Sequence, residues 1–209
     1  MKNPWLDIPL DDYEGHMSSP AVAQLQALNE LFASVLASVR PKSVAVFGCA
    51  AGNGFEHIDP SVTERVVGVD INPTYLQALQ ERFSRSPLDL DLVEADFASP
   101  TFSMPPVQMV FAALVFEYVP TGQAVRAVSR SLAPDGMLVA ALQLPSSASP
   151  PVTKTEFRSL ETLAPFMELV PPDRLTRVCA ATGLNLVRER TIPLKQGKVL
   201  FAGHYRRGA

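Results

Sequence analysis

The stretch that decides the fold is Val44 to Gly54, VAVFGCAAGNG, in which a short apolar run leads directly into a loop with three glycines. An apolar run that ends in glycines predicts a buried strand followed by a tight turn. Glycines let a backbone approach a ligand closely, and a short helix starting inside the loop would offer N–H donors to a carboxylate or phosphate. Alone, the stretch is only weak evidence for a nucleotide site.

The unit of strand, loop and helix repeats further along the chain. Residues 66–69 predict a second strand that ends at Asp70, and Asn72 with Pro73 predicts the start of the next helix. Further strands are predicted over 88–95, 107–114 and 137–144, with a helix over 124–132. Apolar strands that alternate with helices are typical of a parallel sheet covered on both faces, so the predicted class is α/β.

The two ends of the chain depart from this repeat. Ser19 and Pro20 predict the N-cap and first position of an amphipathic helix that runs to Val39. Near the C-terminus, helical segments are predicted around 155–167 and 172–182, and strands over 184–194 and 199–206 flank Gln196-Gly197 as a hairpin. We therefore expect an antiparallel hairpin to close a mostly parallel sheet.

Length, charge and cysteine content limit the functional classes to which the protein can belong. The chain has 209 residues and a net charge of −3, which fits one domain and lacks the basic excess of a nucleic-acid binder. Cys49 and Cys179 form no CxxC pair, so we expect no disulfide framework and no metal site. No apolar run suits a signal peptide or membrane span, which predicts a cytoplasmic protein without a membrane partner. Basic residues near the C-terminus are interpreted as a solvated face, with an anion-binding surface as the alternative: Arg188, Arg190, Lys195, Lys198, Arg206 and Arg207.

Acidic residues end the second and third predicted strands. Asp70 stands where a carboxylate can accept hydrogen bonds from both hydroxyls of a ribose; the alternative is a charge for the next helix. Asp96 could accept from an exocyclic amine while Phe97 stacks on a base, with helix capping by Asp96 as the alternative. A dinucleotide fingerprint needs a third small residue where His57 stands, which weakens an NAD interpretation.

The ordered set of glycine loop, Asp70 and Asp96 resembles the class I S-adenosylmethionine-dependent methyltransferases, over about residues 41–205. The resemblance implies that the loop holds the methionine part of the cofactor, Asp70 the ribose and Asp96 the adenine. Gly48 and Ala50 replace the family's usual acidic residue and first glycine. The cofactor-binding residues implied in this way are Tyr13, Gly48, Cys49, Ala50, Gly52, Asn53, Gly54, Asp70, Ile71, Asp96, Phe97 and Ala113.

The resemblance also implies a Rossmann-like, doubly wound sheet of seven strands that forms a single domain over residues 1–209. Within it we expect a lid segment and helix over 1–40, a cofactor-binding core over 41–145, a helical substrate-side insert over 146–183 and the terminal hairpin over 184–209.

The acceptor side is predicted from position. Ligands of open α/β sheets lie at the carboxyl ends of the strands, which points to Phe116, Glu117, Tyr118 and Ser146. Methyl transfer mainly requires alignment, with a base only for protonated acceptors; His16 and Glu117 are the candidates. We expect Tyr13 to Met17 to order over the bound cofactor, or alternatively Trp5 and Tyr13 to pack on the first helix.

The predicted function is methyl transfer from S-adenosylmethionine to a small molecule. The alternatives are an NAD-type oxidoreductase and a non-catalytic cofactor-binding protein on the same fold. Residues 112–115 carry no DPPY-like tetrad, which disfavours a DNA amino-methylating enzyme. A homodimer is left open.

Overall fold

The computed structural model describes residues 3–147 and 150–208, so the outermost positions of the predicted lid segment and terminal hairpin, and residues 148–149 of the predicted insert, lie outside the described part. Seven strands occur in the described part: β1 Ser43–Phe47, β2 Arg65–Asp70, β3 Leu90–Glu94, β4 Val107–Ala113, β5 Leu132–Gln143, β6 Leu184–Pro193 and β7 Val199–Arg207. All seven predicted strands are therefore present.

The strands form one sheet in the order β3-β2-β1-β4-β5-β7-β6. The first five pair in parallel, whereas β7 lies antiparallel between β5 and β6. This topology confirms the α/β class and the antiparallel C-terminal hairpin. The strand order reverses between β1 and β4, and such a switch point leaves a crevice outside the carboxyl ends of the strands.

Helices cover both faces of the sheet. The α-helices are α1 Leu10–Ser18, α2 Gln24–Val39, α3 Pro73–Arg82, α4 Thr121–Ser131 and α5 Pro172–Ala180. Short 3-10 helices span Pro4–Leu6, Phe55–His57, Phe116–Tyr118, Arg158–Leu163 and Lys195–Gly197. Side chains alternate along β1, so Val44 and Val46 pack with α2 and α3 whereas Ala45 and Phe47 pack in the cluster that includes α4 and α5.

The amphipathic helix near the N-terminus ends at Val39 as predicted, but it starts four residues later than predicted, at Gln24. The chain forms α1 first, and the Ser19 hydroxyl donates to the carbonyl of His16 at the end of that helix. Residues 19–23 then make a turn, in which the N–H groups of Val22 and Ala23 donate to Ser19 O. Ala23 has a left-handed φ of 53° and directly precedes α2. Ser19 therefore ends one helix instead of beginning the next, and the predicted lid segment is largely helical.

The helix predicted around 155–167 is shorter than expected. Only Arg158–Leu163 is helical, as a 3-10 helix. Pro165 has no N–H group with which to continue a helical ladder, which explains why the pattern does not extend to 167.

The glycine loop turns partly towards the core. At Gly52, with φ of 82°, a Cβ atom would clash with Leu79 Cδ1, and at Gly54, with φ of 91°, it would lie 2.9 Å from Phe32 Cδ1. After the loop comes only the three-residue 3-10 helix Phe55–His57, so the expected helix N-terminus is reduced to a single tight turn. These two glycines allow the loop to pack closely against α2 and α3.

Replacing Gly52 with alanine tests this packing. Gly52→Ala and Gly183→Ala both put a Cβ atom at a positive φ, but nothing lies within 4 Å of the new atom at Gly183. We expect Gly183→Ala to lower the free energy of unfolding by about 1 kcal/mol, and Gly52→Ala by about 1–3 kcal/mol more, because Leu79 is fully buried. Denaturant unfolding measures both values, and equal losses would contradict a packing role for Gly52.

Candidate functional site

A cavity of about 130 Å³ lies at the carboxyl ends of the parallel strands. Its walls include Gly48 after β1, Asp70 at the end of β2, Ala95 after β3, Ala113 at the end of β4 and Gln143 at the end of β5. The cavity therefore occupies the crevice created by the switch between β1 and β4.

Two segments cover this cavity. From the N-terminal segment, Trp5 and Tyr13 line it, and from the Arg158–Leu163 helix, Leu160 and Leu163 line it. The Trp5 ring centre lies 5.9 Å from that of Tyr13 and 5.0 Å from that of Tyr118, both with edge-to-face geometry. Aromatic rings thus close the cavity between the N-terminal segment and the loop after β4.

Hydrogen bonds from α3 hold the N-terminal segment in place. Asn72 Nδ2 donates to Trp5 O at 2.8 Å, and the Tyr75 hydroxyl donates to Ile8 O at 3.0 Å. Arg82 donates to both carboxylate oxygens of Glu14 and also to Ala51 O. The same helix therefore anchors the glycine loop and the cover above it.

Asp70 connects the loops that follow β1 and β2. Its Oδ2 accepts from Ala50 N at 2.8 Å, and its Oδ1 accepts from Asn72 N at 2.9 Å. Burial raises the pKa of this carboxyl, and the N–H groups of Asn72, Ala50 and Ile71 partly offset the rise. A carboxylate has about four lone-pair sites, so Asp70 keeps acceptor capacity towards the cavity that it lines.

The structure divides the residues predicted to bind the cofactor into two groups. Eight of them line the cavity: Tyr13, Gly48, Ala50, Asp70, Ile71, Asp96, Phe97 and Ala113. The other four, Cys49, Gly52, Asn53 and Gly54, do not line it. Cys49 is buried in the core, and Asn53 Nδ2 donates to Leu25 O at the start of α2. These four residues lie behind the cavity wall, and their expected contact with the cofactor stays a prediction.

Asp96 and Phe97 make structural contacts as well as lining the cavity, but within the described residues no helix directly follows Asp96 for it to cap. Asp96 Oδ1 accepts from Ala98 N at 2.9 Å, which stabilises a local turn. The Phe97 ring packs 4.9 Å from the Phe47 ring in the core. Both residues nevertheless line the cavity, so they combine a structural contact with a position where an adenine ring could bind.

His16 lines the cavity as a neutral imidazole. Its Nδ1 lies 2.9 Å from the Thr155 hydroxyl, and the residue is 5% exposed. Burial, and then the positive charge of Lys198, lower its pKa to about 4. At neutral pH His16 therefore adds no positive charge to the cavity.

Glu117 does not line the cavity, and its expected role as a base or substrate ligand stays a prediction. Its Oε1 accepts from Gln143 N at 2.8 Å, and its Oε2 has no hydrogen-bond partner among the described residues. Burial raises its pKa to about 7. Glu117 ties the Phe116–Tyr118 turn to the end of β5.

Of the other residues predicted on the acceptor side, one lines the cavity and two do not. Tyr118 lines the cavity, as expected. Phe116 is fully buried in the core, and Ser146 donates from its hydroxyl to Gly197 O; neither lines the cavity. The strand ends were the correct region, but sequence position could not show which side chains turn inward.

Metal-binding clusters and membrane-spanning helices are both absent from the described ranges. Residues 3–147 and 150–208 contain no group of three or more His, Cys, Asp or Glu side chains placed to hold a metal ion. None of the helices in these ranges has the length and apolar composition needed to cross a bilayer.

Comparison with known proteins identifies the family. Residues 44–136 match the family described as a methyltransferase domain. Residues 44–136 therefore form a methyltransferase domain, which agrees with the resemblance to the class I enzymes. Enzymes with this domain take the methyl group from S-adenosylmethionine, so that compound is the cofactor. A comparison with curated protein sequences finds no match.

Solved structures share the fold of this methyltransferase. The N-methyltransferase NodS from Bradyrhizobium japonicum WM9, in complex with S-adenosylhomocysteine, has a TM-score of 0.72 and 16% identity, and 100% of each chain is covered. Magnesium protoporphyrin IX methyltransferase from Synechocystis PCC 6803, with bound S-adenosylhomocysteine, gives 0.70 and 12%, covering 95% of this chain and 94% of that one. A possible exported protein from Bordetella parapertussis gives 0.68 and 18%, covering 91% and 70%. At these identities the likeness shows the fold.

The structure also adds polar residues to the site of this methyltransferase. Gln24, Gln143 and Lys198 line the cavity, and sequence reasoning missed them as site residues. Gln143 follows the strand-end rule and could have been found in that way. Lys198 was assigned to a solvated basic face, and nothing in its neighbours along the chain indicates burial.

The buried carboxyl of Glu117 predicts a pH-dependent stability. Its pKa is about 7 in the folded protein and ordinarily 4.5, so between these values the folded state binds more protons than the unfolded state. The stabilisation from Glu117 is therefore complete below pH 4.5 and is lost as the pH rises through about 7. The loss amounts to about 3 kcal/mol at about 1.4 kcal/mol per unit.

Glu117→Gln tests this prediction. We expect the difference in unfolding free energy between wild type and Glu117→Gln to shift by about 3 kcal/mol across this pH range. The titration of His16 and Asp70 is common to both proteins and cancels. Urea unfolding at several pH values measures the difference, with the exposed Glu64→Gln as control. Parallel pH curves for wild type and Glu117→Gln would contradict the buried proton.

Proposed function

We propose that the protein methylates a small molecule that binds in the covered cavity beside S-adenosylmethionine. The observation that carries this proposal is the cover that the N-terminal segment and the 151–167 region place over the cavity at the sheet edge. A covered cavity at the ends of β1 to β5 suits a small acceptor better than the body of a macromolecule.

The residues present fit the cofactor at one end of this cavity. Asp70 is a buried carboxylate with acceptor capacity left over, as the two hydroxyls of a ribose require. Asp96 and Phe97 offer an acceptor and a ring at the next strand end, where we place the adenine. We place the methionine part along the backbone of Gly48 and Ala50.

The residues of the cavity align the reactants and exclude water. When bound, S-adenosylmethionine supplies an electrophilic methyl group on a positively charged sulfur. Trp5, Tyr13 and Tyr118 cover the reacting region, and the uncharged His16 adds no repulsion against that sulfur. A base with a pKa near 4 is weak at neutral pH, so alignment supplies most of the rate, and His16 is the candidate base for acceptors that must lose a proton.

A separate observation supports a cytoplasmic setting. Cys49 and Cys179 are free thiols buried in the core, which suits the reducing environment of the cytoplasm. The net charge of −3 supports a small-molecule acceptor over nucleic acid. A homodimer stays a prediction, for which light scattering on the purified protein is the test.

Substitution of Asp70 tests the cofactor site. We expect Asp70→Ala to weaken binding of S-adenosylhomocysteine by at least about tenfold, because two charge-assisted hydrogen bonds of ~1.5 kcal/mol or more each are lost. Calorimetry at a temperature where both proteins are folded measures the affinity. Asp91→Ala, which removes an exposed carboxylate that pairs with Arg65, is the matched control and should bind normally. Unchanged affinity in Asp70→Ala would remove Asp70 from the site.

Hydrogen exchange tests the N-terminal segment as a lid. We expect S-adenosylhomocysteine to slow amide exchange over residues 10–18, because Tyr13 and His16 line the cavity and a bound ligand would hold this helix in place. Helix α5 contributes no residue to the cavity walls and serves as the internal control. Equal protection of α1 with and without the compound would make this segment a fixed structural arm.

A further inference from the structure

Lys198 places an ammonium group inside the cavity. It precedes β7, is 2% exposed, and lines the wall together with Gln143 and Gln24. Its Nζ donates to Pro151 O at 2.9 Å and to Gln143 Oε1 at 3.4 Å. Within the described part of the chain, Lys198 forms no ion pair.

The two oxygen atoms that accept from Lys198 also accept hydrogen bonds from other donors. Gln143 Oε1 also accepts from Gln24 Nε2 at 2.8 Å, and Pro151 O also accepts from Gln143 Nε2 at 2.9 Å. Both acceptors would therefore stay satisfied if the ammonium were removed. An ammonium has three N–H donors, so at least one of those of Lys198 is left for another partner.

A buried cation without a counterion is costly. Burial lowers the pKa of Lys198 to about 8, so the group still carries its charge at neutral pH. Among the groups around it, His16 is neutral, and Glu117 lies outside the cavity with its Oε1 turned to Gln143 N. The carboxylates that line the cavity, Asp70 and Asp96, follow β2 and β3, where we place the cofactor. The acceptor end thus has a positive charge that the chain itself does not balance.

We propose that the methyl acceptor carries a carboxylate and that Lys198 binds it, oriented by Gln143 and Pro151 O. This inference rests on the proposed function, since it places the acceptor in the cavity that also holds the cofactor. A carboxylate on the acceptor would balance the charge of the ammonium in a cavity of low polarity. The described walls contain no arginine, and one ammonium suits a monoanion better than a phosphate dianion. Leu160, Leu163 and Met167 add an apolar surface for the body of the molecule.

The test compares acids with their amides. A panel of small aromatic and branched aliphatic carboxylic acids, each paired with its primary amide, is titrated by calorimetry into the protein saturated with S-adenosylhomocysteine. We expect acids that fit to bind at least about tenfold more tightly than their amides, equivalent to ~1.4 kcal/mol. Lys198→Met should abolish this preference, whereas Lys195→Met, which removes an exposed lysine from the adjacent turn, should retain it.

Two further readouts separate the possible failures. Lys198→Met should keep its affinity for S-adenosylhomocysteine and melt at a higher temperature than wild type, because an unpaired buried charge is removed. If wild type does not bind S-adenosylhomocysteine, the proposed function fails. If wild type binds it but prefers no acid over its amide, or if Lys198→Met keeps the preference, the carboxylate proposal is overturned. The comparison in wild type needs no variant, so it stands even if Lys198→Met does not fold.

Discussion

The carboxylate of Asp70 is the contact on which the candidate site depends. It accepts one N–H from the loop after β1 and another from the loop after β2, so it fixes these two strand ends relative to each other. One of the donors belongs to Ala50, a non-glycine residue with a left-handed φ of 44°. Such a conformation costs about 1–2 kcal/mol, and the bond to a buried carboxylate offsets that cost. Asn72, the other donor, also holds Trp5 in the cover, so the effect of Asp70 extends to the closure of the cavity.

The sequence predicted the sheet well because each strand carries its own evidence. Residues 66–69, for instance, are apolar and end at an acid followed by Asn72-Pro73, a local signal that needs no knowledge of the rest of the chain. The predicted strands and the structure agree to within a few residues at most ends. The start of α2 was missed for the opposite reason. Ser19-Pro20 has the composition of a helix start, but Ser19 donates its hydrogen bond to the end of α1. The sequence of α1 gave no signal that predicted this helix.

The sequence predicted which chain positions lie near the site, but it could not predict which way their side chains point. Strand ends identified Asp70, Asp96 and Ala113 correctly as neighbours, because the carboxyl ends of parallel strands meet at one edge. Which way a loop residue points depends on what packs behind it. Leu79 occupies the space that a side chain at Gly52 would need, and Glu117 accepts a hydrogen bond from the backbone N–H of Gln143. Both contacts join residues that are far apart in sequence.

Net charge was an equally poor guide to local electrostatics. The value of −3 is a sum over the whole chain, and it disfavours a polyanionic partner only as an expectation. It could not show that one lysine leaves the basic C-terminal surface and enters the cavity. The turn before β7 brings Lys198 there, and Gln24 at the first position of α2 joins the same cluster through Gln143. Because α2 follows α1 after a short turn, one continuous segment, residues 3–24, contacts Asn72 at the cofactor end and Gln143 at the acceptor end. A single piece of the chain therefore contacts the cavity wall at two separate strand ends.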